Sequence, residues 1–276
     1  MASSSSSSSP PAPAAAPWRA DFLEHTSRMP QASFVLSTVR RNGGGRDAPS
    51  PRARTCMLRG LWAGLPADDR NPAPRNRPVY ESDCPVFTTD ARMDKVADLG
   101  AGSGSGPGSG PVEAVWWAEA TQTQWRVRGE AWLLGGGGGG PSGIGIPAAA
   151  RAAIGARMRR RDGNAAAAEK ETEEQQWQWS WETEVTAHFG NLSPAMRGTF
   201  RNPAPGAPRQ QAPGAGEGLG QRVDDVEDEL ARRNFLVCVI VPTEVDRVLL
   251  APDDPRRWLY RFRAEDGTWE TVELWP

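Results

Sequence analysis

The sequence predicts a mainly β domain, in which an antiparallel sheet closes into a barrel and a few helices flank it. About nine short strand patterns occur along the chain, and turn-forming residues separate neighbouring strands. Few helical periods lie between those strands. Because short turns reverse the chain, neighbouring strands are expected to pair antiparallel, and closure into a barrel would remove exposed sheet edges.

The first part of the chain combines helix and strand periods. Trp18, Phe22, His25 and Met29 recur at helical spacing before Pro30, which predicts a helix over residues 18–29. Strands are predicted at 31–41, 54–61, 85–89, 112–120 and 124–134, and further helices at 93–99 and 148–161.

The last part of the chain is predicted to be β structure. Residues 235–241 are continuously apolar, which is typical of a strand buried on both faces, and 245–250 are expected to pair with them. Residues 258–263 alternate aromatic with other side chains, and Asp266-Gly267 predicts a hairpin turn before a strand at 269–274.

Glycine and proline are clustered. The 30 glycines and 25 prolines concentrate in stretches with little apolar content, which are expected to stay flexible. We therefore predict a disordered tail at 1–17 and one domain over 18–276. The flexible insertions are expected at about 42–50, 100–111, 135–147, 162–176 and 202–229. The glycine run at 135–140 opens no helix and lies in no βαβ unit, so it does not indicate a dinucleotide site.

Composition argues against several classes of protein. The net charge of −2 creates no general attraction for nucleic acid or an anionic membrane. No apolar run is long enough to span a bilayer. The three cysteines have no CxxC spacing, which argues against a disulfide framework and a zinc site. A cytoplasmic location is expected, although the Ser/Ala/Pro-rich start also leaves a short organellar leader open.

Arginine dominates the cations. Of the 32 cationic residues, only Lys95 and Lys170 are lysine. This excess of arginine indicates either a compositional bias or the recognition of phosphate. Neither His25 nor His188 stands in a catalytic spacing, so no catalytic residue is assigned. If the chain is an enzyme, a cofactor is expected to supply the reactivity.

Three stretches carry polar groups suited to an anionic ligand. The first is the predicted strand Arg54–Arg59, which has an arginine at each end. The second is 87–95, in which two threonines end a strand before Arg92 and Lys95 at a helix start. Backbone N–H groups, the helix dipole and two cations would meet there. The third is 124–129, in which Gln124 shares a strand face with two arginines.

In this order, these stretches resemble the pyridoxamine 5′-phosphate oxidase superfamily of FMN-binding split-barrel proteins. The likeness is greatest to its oxidase-like FMN-binding branch, and 18–25, 82–95, 113–117, 193–200, 257–260 and 274–276 also carry it. The resemblance implies FMN as cofactor, a split barrel, and a homodimer that holds FMN between its two chains.

The resemblance also implies roles for individual residues. Arg54 and Lys95 would bind the FMN phosphate, and Gln124 and Arg257 would reach the flavin ring from the strand face or from the partner subunit. The implied cofactor-binding set is Arg54, Thr55, Met57, Arg59, Thr88, Thr89, Arg92, Lys95, Gln124 and Arg257. Arg59 and Arg197 are the implied substrate-binding residues.

One departure concerns the substrate. The metabolic oxidases carry an Arg-x-His-Asp-Arg stretch near the C-terminus, whereas residues 253–257 read Asp-Asp-Pro-Arg-Arg. We therefore expect an FMN-dependent oxidoreductase acting on an unidentified small molecule. The alternative is a flavin-binding sensor or carrier without turnover. A third class, a nucleic-acid-binding barrel that stacks bases on Trp125 and Arg126, is opposed by the sequence pI of 5.9.

Overall fold

The computed structural model describes residues 13–41, 48–100, 106, 108–136, 145–161 and 179–276. Over these residues the protein is built from ten strands and six α-helices. The strands are β1 Ser33–Arg40, β2 Ser50–Met57, β3 Tyr80–Ser82, β4 Val86–Asp90, β5 Ser109–Ala118, β6 Thr123–Gly135, β7 Met158–Arg160, β8 Phe235–Leu249, β9 Arg256–Arg263 and β10 Thr268–Leu274. The helices are α1 Arg19–Ser27, α2 Asp94–Gly100, α3 Ala148–Gly155, α4 Trp181–Gly190, α5 Pro194–Gly198 and α6 Glu229–Asn234.

The main sheet has eight strands in the order β2-β1-β5-β6-β8-β9-β10, with β4 paired to β8 beside this path. Every pairing in it is antiparallel, as predicted. β3 and β7 form a separate two-stranded sheet. The mainly antiparallel fold class is therefore confirmed.

The strand ladder does not close fully, contrary to the expectation of a closed barrel. β4 instead approaches the chain just after β2, where Arg59 N donates to Val86 O at 2.7 Å and Val86 N donates to Gly60 O at 2.9 Å. Gly60 has φ +102°, a conformation that ends the regular strand. For this reason β2 covers Ser50–Met57, and Arg59 lies beyond its end rather than within it.

β8 carries the centre of the fold. Its first half is buried on both faces, as predicted, because Leu236, Cys238 and Ile240 enter one apolar cluster while Val237 and Val239 enter another. The prediction that 245–250 form a separate pairing strand is wrong, since β8 continues unbroken to Leu249. Its long partner β6 follows it through a β-bulge at Arg128/Gly129.

Two other predictions need correction. The helix expected over 148–161 ends at Gly155, and Met158–Arg160 pair with β3 instead. Residues 109–111, expected in a flexible insertion, begin β5, because Ser109 and Gly110 pair with Trp132 and Ala131. Most of the other predicted insertions, and residues 1–12 of the tail, lie outside the described residues.

Residues 202–228 differ from the flexible linker that their Pro/Gly content predicts. They contain turns rather than regular elements, but tertiary contacts hold them. Gly218 N donates to Arg201 O at 2.9 Å, Val223 N donates to Pro194 O at 3.0 Å, and Val223 is buried. This segment therefore packs on the domain and forms part of the site described next.

Candidate functional site

A cavity of about 960 Å³ lies where β2 and β4 end and α2 begins, and residues 199–219 cover its other side. On the strand side it is lined by Thr55, Cys56, Met57, Arg59, Thr88, Thr89, Asp90, Met93 and Lys95. Met196, Thr199, Phe200 and residues of the Pro/Gly segment complete the lining. Its size falls in the upper range of small-molecule and cofactor sites.

Lys95 is a buried cation of this cavity. It is 8% exposed, and its Nζ lies 3.0 Å from Thr89 Oγ1 and 2.8 Å from Met93 Sδ. The ammonium has no ion pair in the described part of the chain. The nearby Asp90 carboxylate is bound at 2.7 Å by Arg92. Burial lowers the pKa of Lys95, so an anion beside it would relieve an uncompensated charge.

Arg59 is a second cation on the cavity wall. Its Nε is buried and has no hydrogen-bond partner, and none of the described residues forms an ion pair with its guanidinium. Burial lowers the pKa of this side chain. Lys95 and Arg59 are thus two cations on the cavity wall without a carboxylate partner among the described residues, and such charges favour an anionic ligand.

Hydroxyl and apolar groups line the cavity between these cations. Thr88 and Thr89 come from the end of β4, where Thr89 is buried and accepts the Lys95 hydrogen bond. Thr55 and Met57 come from the end of β2. The structure thus brings together six residues of the predicted cofactor set: Thr55, Met57, Arg59, Thr88, Thr89 and Lys95.

Arg54 does not line the cavity. Its guanidinium donates to Thr38 Oγ1 at 2.7 Å and to Asp98 at 3.2 Å, and Asp98 also binds Arg40 at 2.8 Å. Arg54 still lies close enough for its charge to lower the pKa of Lys95, although burial of Lys95 is the larger cause. The structure therefore gives Arg54 an ion pair rather than an exposed position for a phosphate.

Arg92 is also engaged by carboxylates. It bonds Asp90 at 2.7 Å and Glu217 at 2.7 Å. Since Asp90 and Glu217 both line the cavity, Arg92 joins the end of β4 to the Pro/Gly segment. Arg92 therefore holds two residues of the cavity wall in place without lining the cavity itself.

The substrate-binding role predicted for Arg197 does not agree with the structure. This side chain is 2% exposed and donates to the carbonyls of Val223 at 2.7 Å, Gly190 at 3.0 Å and Leu192 at 3.0 Å. Its N–H groups satisfy carbonyls at the end of α4 and hold residues 223–224 in place. Arg197 is therefore a structural residue, and sequence could not show this because its partners are carbonyls.

Gln124 and Arg257 lie on the outer face of the main sheet, away from the cavity. Both are paired with Val248, Gln124 from β6 and Arg257 from β9, so the two side chains share one sheet face. Arg257 binds Asp246 at 2.8 Å. Within one chain, therefore, these two residues do not meet Lys95 or Arg59.

Several cavity residues were missed by the sequence prediction. The predicted set includes the strand neighbours of Cys56 but not Cys56 itself. Burial raises the pKa of its thiol. Met93 contacts the Lys95 ammonium, but a methionine carries no recognisable signal. The lining from 199–219 has no sequence signal of a site, because its prolines and glycines are typical of a linker.

The described residues contain no cluster of His, Cys, Asp and Glu that could hold a metal ion. None of the helices seen in them is long and apolar enough to cross a membrane.

Comparison with known proteins finds a family model that matches part of the chain. The family model described as the pyridoxamine 5′-phosphate oxidase FMN-binding domain matches residues 15–135. This stretch contains all the strand-side residues of the cavity. Residues 15–135 are thus similar to the pyridoxamine 5′-phosphate oxidase FMN-binding domain family. The resemblance drawn from the sequence is confirmed over this stretch, and an FMN-binding domain family implies a flavin cofactor.

One solved structure with a TM-score above 0.5 supports the fold. A pyridoxamine 5′-phosphate oxidase-related, FMN-binding protein from Nostoc punctiforme PCC 73102 matches with a TM-score of 0.58 and 21% identity, over 95% of this chain and 100% of that one. PhzG from Burkholderia lata 383, in complex with tetrahydrophenazine-1-carboxylic acid, matches with a TM-score of 0.40 and 15% identity, over 88% and 82%. No curated protein matches the chain.

The cavity residues fit the cofactor that this family implies. FMN ends in a phosphate dianion, and the cavity holds the ammonium of Lys95 and the guanidinium of Arg59 without carboxylate partners among the described residues. The threonine hydroxyls beside them can donate to phosphate oxygens. The buried ammonium of Lys95, which has no carboxylate partner among the described residues, is the clearest sign that an anion belongs there.

Proposed function

We propose that this protein is an FMN-dependent oxidoreductase that acts on a small molecule. The observation that carries the proposal is the pair of cations, the buried Lys95 and the partly buried Arg59, in a cavity lined by residues of an FMN-binding domain. Uncompensated cations are costly to bury, and an anionic ligand offsets that cost.

The chain's own residues divide the binding work. Lys95, Thr88 and Thr89 would hold the phosphate, and Thr55 and Met57 would line the flavin ring. Arg92 holds Asp90 and Glu217 in place around them. When bound, FMN supplies two-electron redox chemistry that no side chain of the cavity can provide.

The proposal includes a homodimer. Gln124 and Arg257 lie on the outer face of the sheet, so they would reach a flavin only in the partner subunit. On that face Trp117 is paired with Gln124, and Val35 is paired with Val115. Trp117 and Val35 are exposed, and an apolar patch of this kind favours association. Sedimentation equilibrium of the full chain should give twice the monomer mass, and a monomer would refute this part.

The experiment that tests FMN binding is reconstitution. The protein is expected to bind one FMN per chain, with the released chromophore identified as FMN rather than FAD. Lys95→Met should weaken binding, whereas Arg128→Ala should not, because Arg128 is an exposed β6 residue outside this cavity. Failure to bind added FMN would refute the proposal.

Turnover separates an enzyme from the alternative, a flavin sensor or carrier. Reduction of the bound flavin by reduced nicotinamides or a panel of amines, followed by its reoxidation, would support the oxidoreductase. If FMN binds but no donor reduces it, the alternative is favoured.

A further inference from the structure

The chain over residues 202–217 is a surface loop whose two ends meet, and we call it the cavity loop. Gly218 N donates to Arg201 O at 2.9 Å, and Arg201 Nη2 donates to Gly216 O at 3.3 Å. At the same base, Arg201 also binds Asp228 at 3.2 Å. A loop with such a closed base is an Ω-loop, a compact surface element that is frequently functional.

The body of the cavity loop covers the flavin cavity without being part of the core. All four of its prolines line the cavity, and residues 208–216 are exposed to solvent. None of residues 203–215 enters either apolar cluster, and in the described part of the chain their hydrogen bonds stay within the loop. Local opening of such a segment costs little free energy, because few buried contacts must break.

An ion pair joins the cavity loop to the strand side of the cavity. Glu217 Oε1 lies 2.7 Å from Arg92 Nη1. Asp90 fixes Arg92 in turn, because its carboxylate accepts from Nε at 2.9 Å and from Nη2 at 2.7 Å. The side chains of Arg92 and Glu217 are 13% and 18% exposed, so solvent screens this pair less than a surface pair. Glu217 also accepts from Gly214 N at 2.8 Å, which couples the ion pair to the turn at the end of the loop.

We propose that the cavity loop is a lid over the flavin cavity, and that the Arg92–Glu217 ion pair is the latch that holds the lid closed. A ligand on the strand side lies beneath the loop, so the loop must move away before the ligand enters or leaves. The identity of that ligand as flavin rests on the proposed function, whereas the lid is a property of the chain itself.

A latch has a kinetic signature that a flavin-binding residue lacks. If only the open form admits or releases FMN, a larger open fraction raises the association and dissociation rates together. The ratio of the two rates, and therefore Kd, stays nearly the same. In contrast, removal of a residue that binds FMN mainly raises the dissociation rate, and Kd rises with it.

Stopped-flow fluorescence of FMN binding to the full-length protein tests this signature. In Glu217→Gln both rates should rise at least fivefold, while Kd stays within twofold of wild type. Glu227→Gln is the matched control and should change neither rate, because Glu227 is an exposed acidic residue that does not line the cavity. If Glu217→Gln fails to fold, Glu217→Asp replaces it, because its shorter side chain weakens the contact with Arg92 and the same direction is expected.

Trypsin measures the opening of the loop without any flavin. Arg209 is the only lysine or arginine of the cavity loop, and it is exposed. A cut between Arg209 and Gln210, identified by mass spectrometry, therefore tracks the population of the open loop. In the apoprotein this cut should be at least fivefold faster in Glu217→Gln than in wild type or Glu227→Gln, while cleavage at the other arginines keeps its wild-type rate.

Three results would overturn the inference. They are FMN rates that do not change in Glu217→Gln, a rise in the dissociation rate alone, and an unchanged rate of cutting after Arg209. A protein that binds no FMN would refute the proposed function, and the trypsin result would then decide the inference by itself.

Discussion

Replacing Lys95 by methionine should have opposite effects on ligand binding and on stability. The ammonium is buried, and its only described hydrogen-bonding contacts are Thr89 Oγ1 and Met93 Sδ. Losing one charge-assisted hydrogen bond to phosphate costs about 1.5–3 kcal/mol, which corresponds to a rise in Kd of about 10- to 150-fold. Methionine has a similar shape and carries no charge. The apoprotein should therefore be as stable as wild type, or more stable by on the order of 1 kcal/mol.

The assay measures both quantities on the same preparations. FMN affinity is read from the quenching of flavin fluorescence, and apoprotein stability from urea unfolding followed by tryptophan emission. Arg128→Ala is the matched control, since it removes an exposed cation from β6 and should change neither value. An FMN Kd within twofold of wild type in Lys95→Met would refute the reasoning. A destabilised apoprotein would show that the ammonium serves the fold instead.

Three further predictions concern the scaffold. The pKa of His188 is lowered to about 3 in the folded protein. As the pH falls, the unfolded chain therefore binds a proton at His188 at a higher pH than the folded chain does. Wild-type stability should thus fall below pH 6.5 by up to about 1.4 kcal/mol per pH unit, and urea titrations from pH 7.5 to 5.5 should show a shallower fall for His188→Gln. Arg197→Met should lower the free energy of unfolding, measured with urea, by about 3 kcal/mol or more, because it leaves buried carbonyls unpaired. An unchanged free energy of unfolding together with a raised KM would instead support the predicted substrate-binding role of Arg197. Gly129→Ala should cost about 1–3 kcal/mol, seen as a lower Tm, because a Cβ there would lie 2.1 Å from Val241 O; an unchanged Tm would contradict the close approach.

The arginines show where sequence reasoning about the site succeeded and where it stopped. The strand pattern ending at Arg59 predicts this residue as a ligand, and it does line the cavity. Arg54 was chosen on the same pattern, but Asp98, 44 residues away, binds its guanidinium. Arg92 likewise meets Glu217, 125 residues away. Sequence shows where a cation stands, whereas its freedom to bind a ligand depends on such distant partners.

The second half of the cavity wall could not be predicted for a different reason. Residues 199–219 contain few apolar side chains and many prolines and glycines, which is also the composition of a flexible linker. Their position depends on contacts such as Glu217 with Arg92 and Val223 with Pro194. None of these contacts has a local pattern.

The sequence by itself determined most strands of the main sheet, the β9–β10 hairpin, the doubly buried start of β8 and the run of hydroxyls and cations at 87–95. These depend on alternation, turn chemistry and apolar content, which act over a few neighbouring residues. Only the tertiary structure decided that Lys95 and Arg59 remain without carboxylate partners in the described chain, while Arg54, Arg92 and Arg197 are engaged. The physical reason is that charge compensation and burial are set by groups brought together from distant parts of the chain.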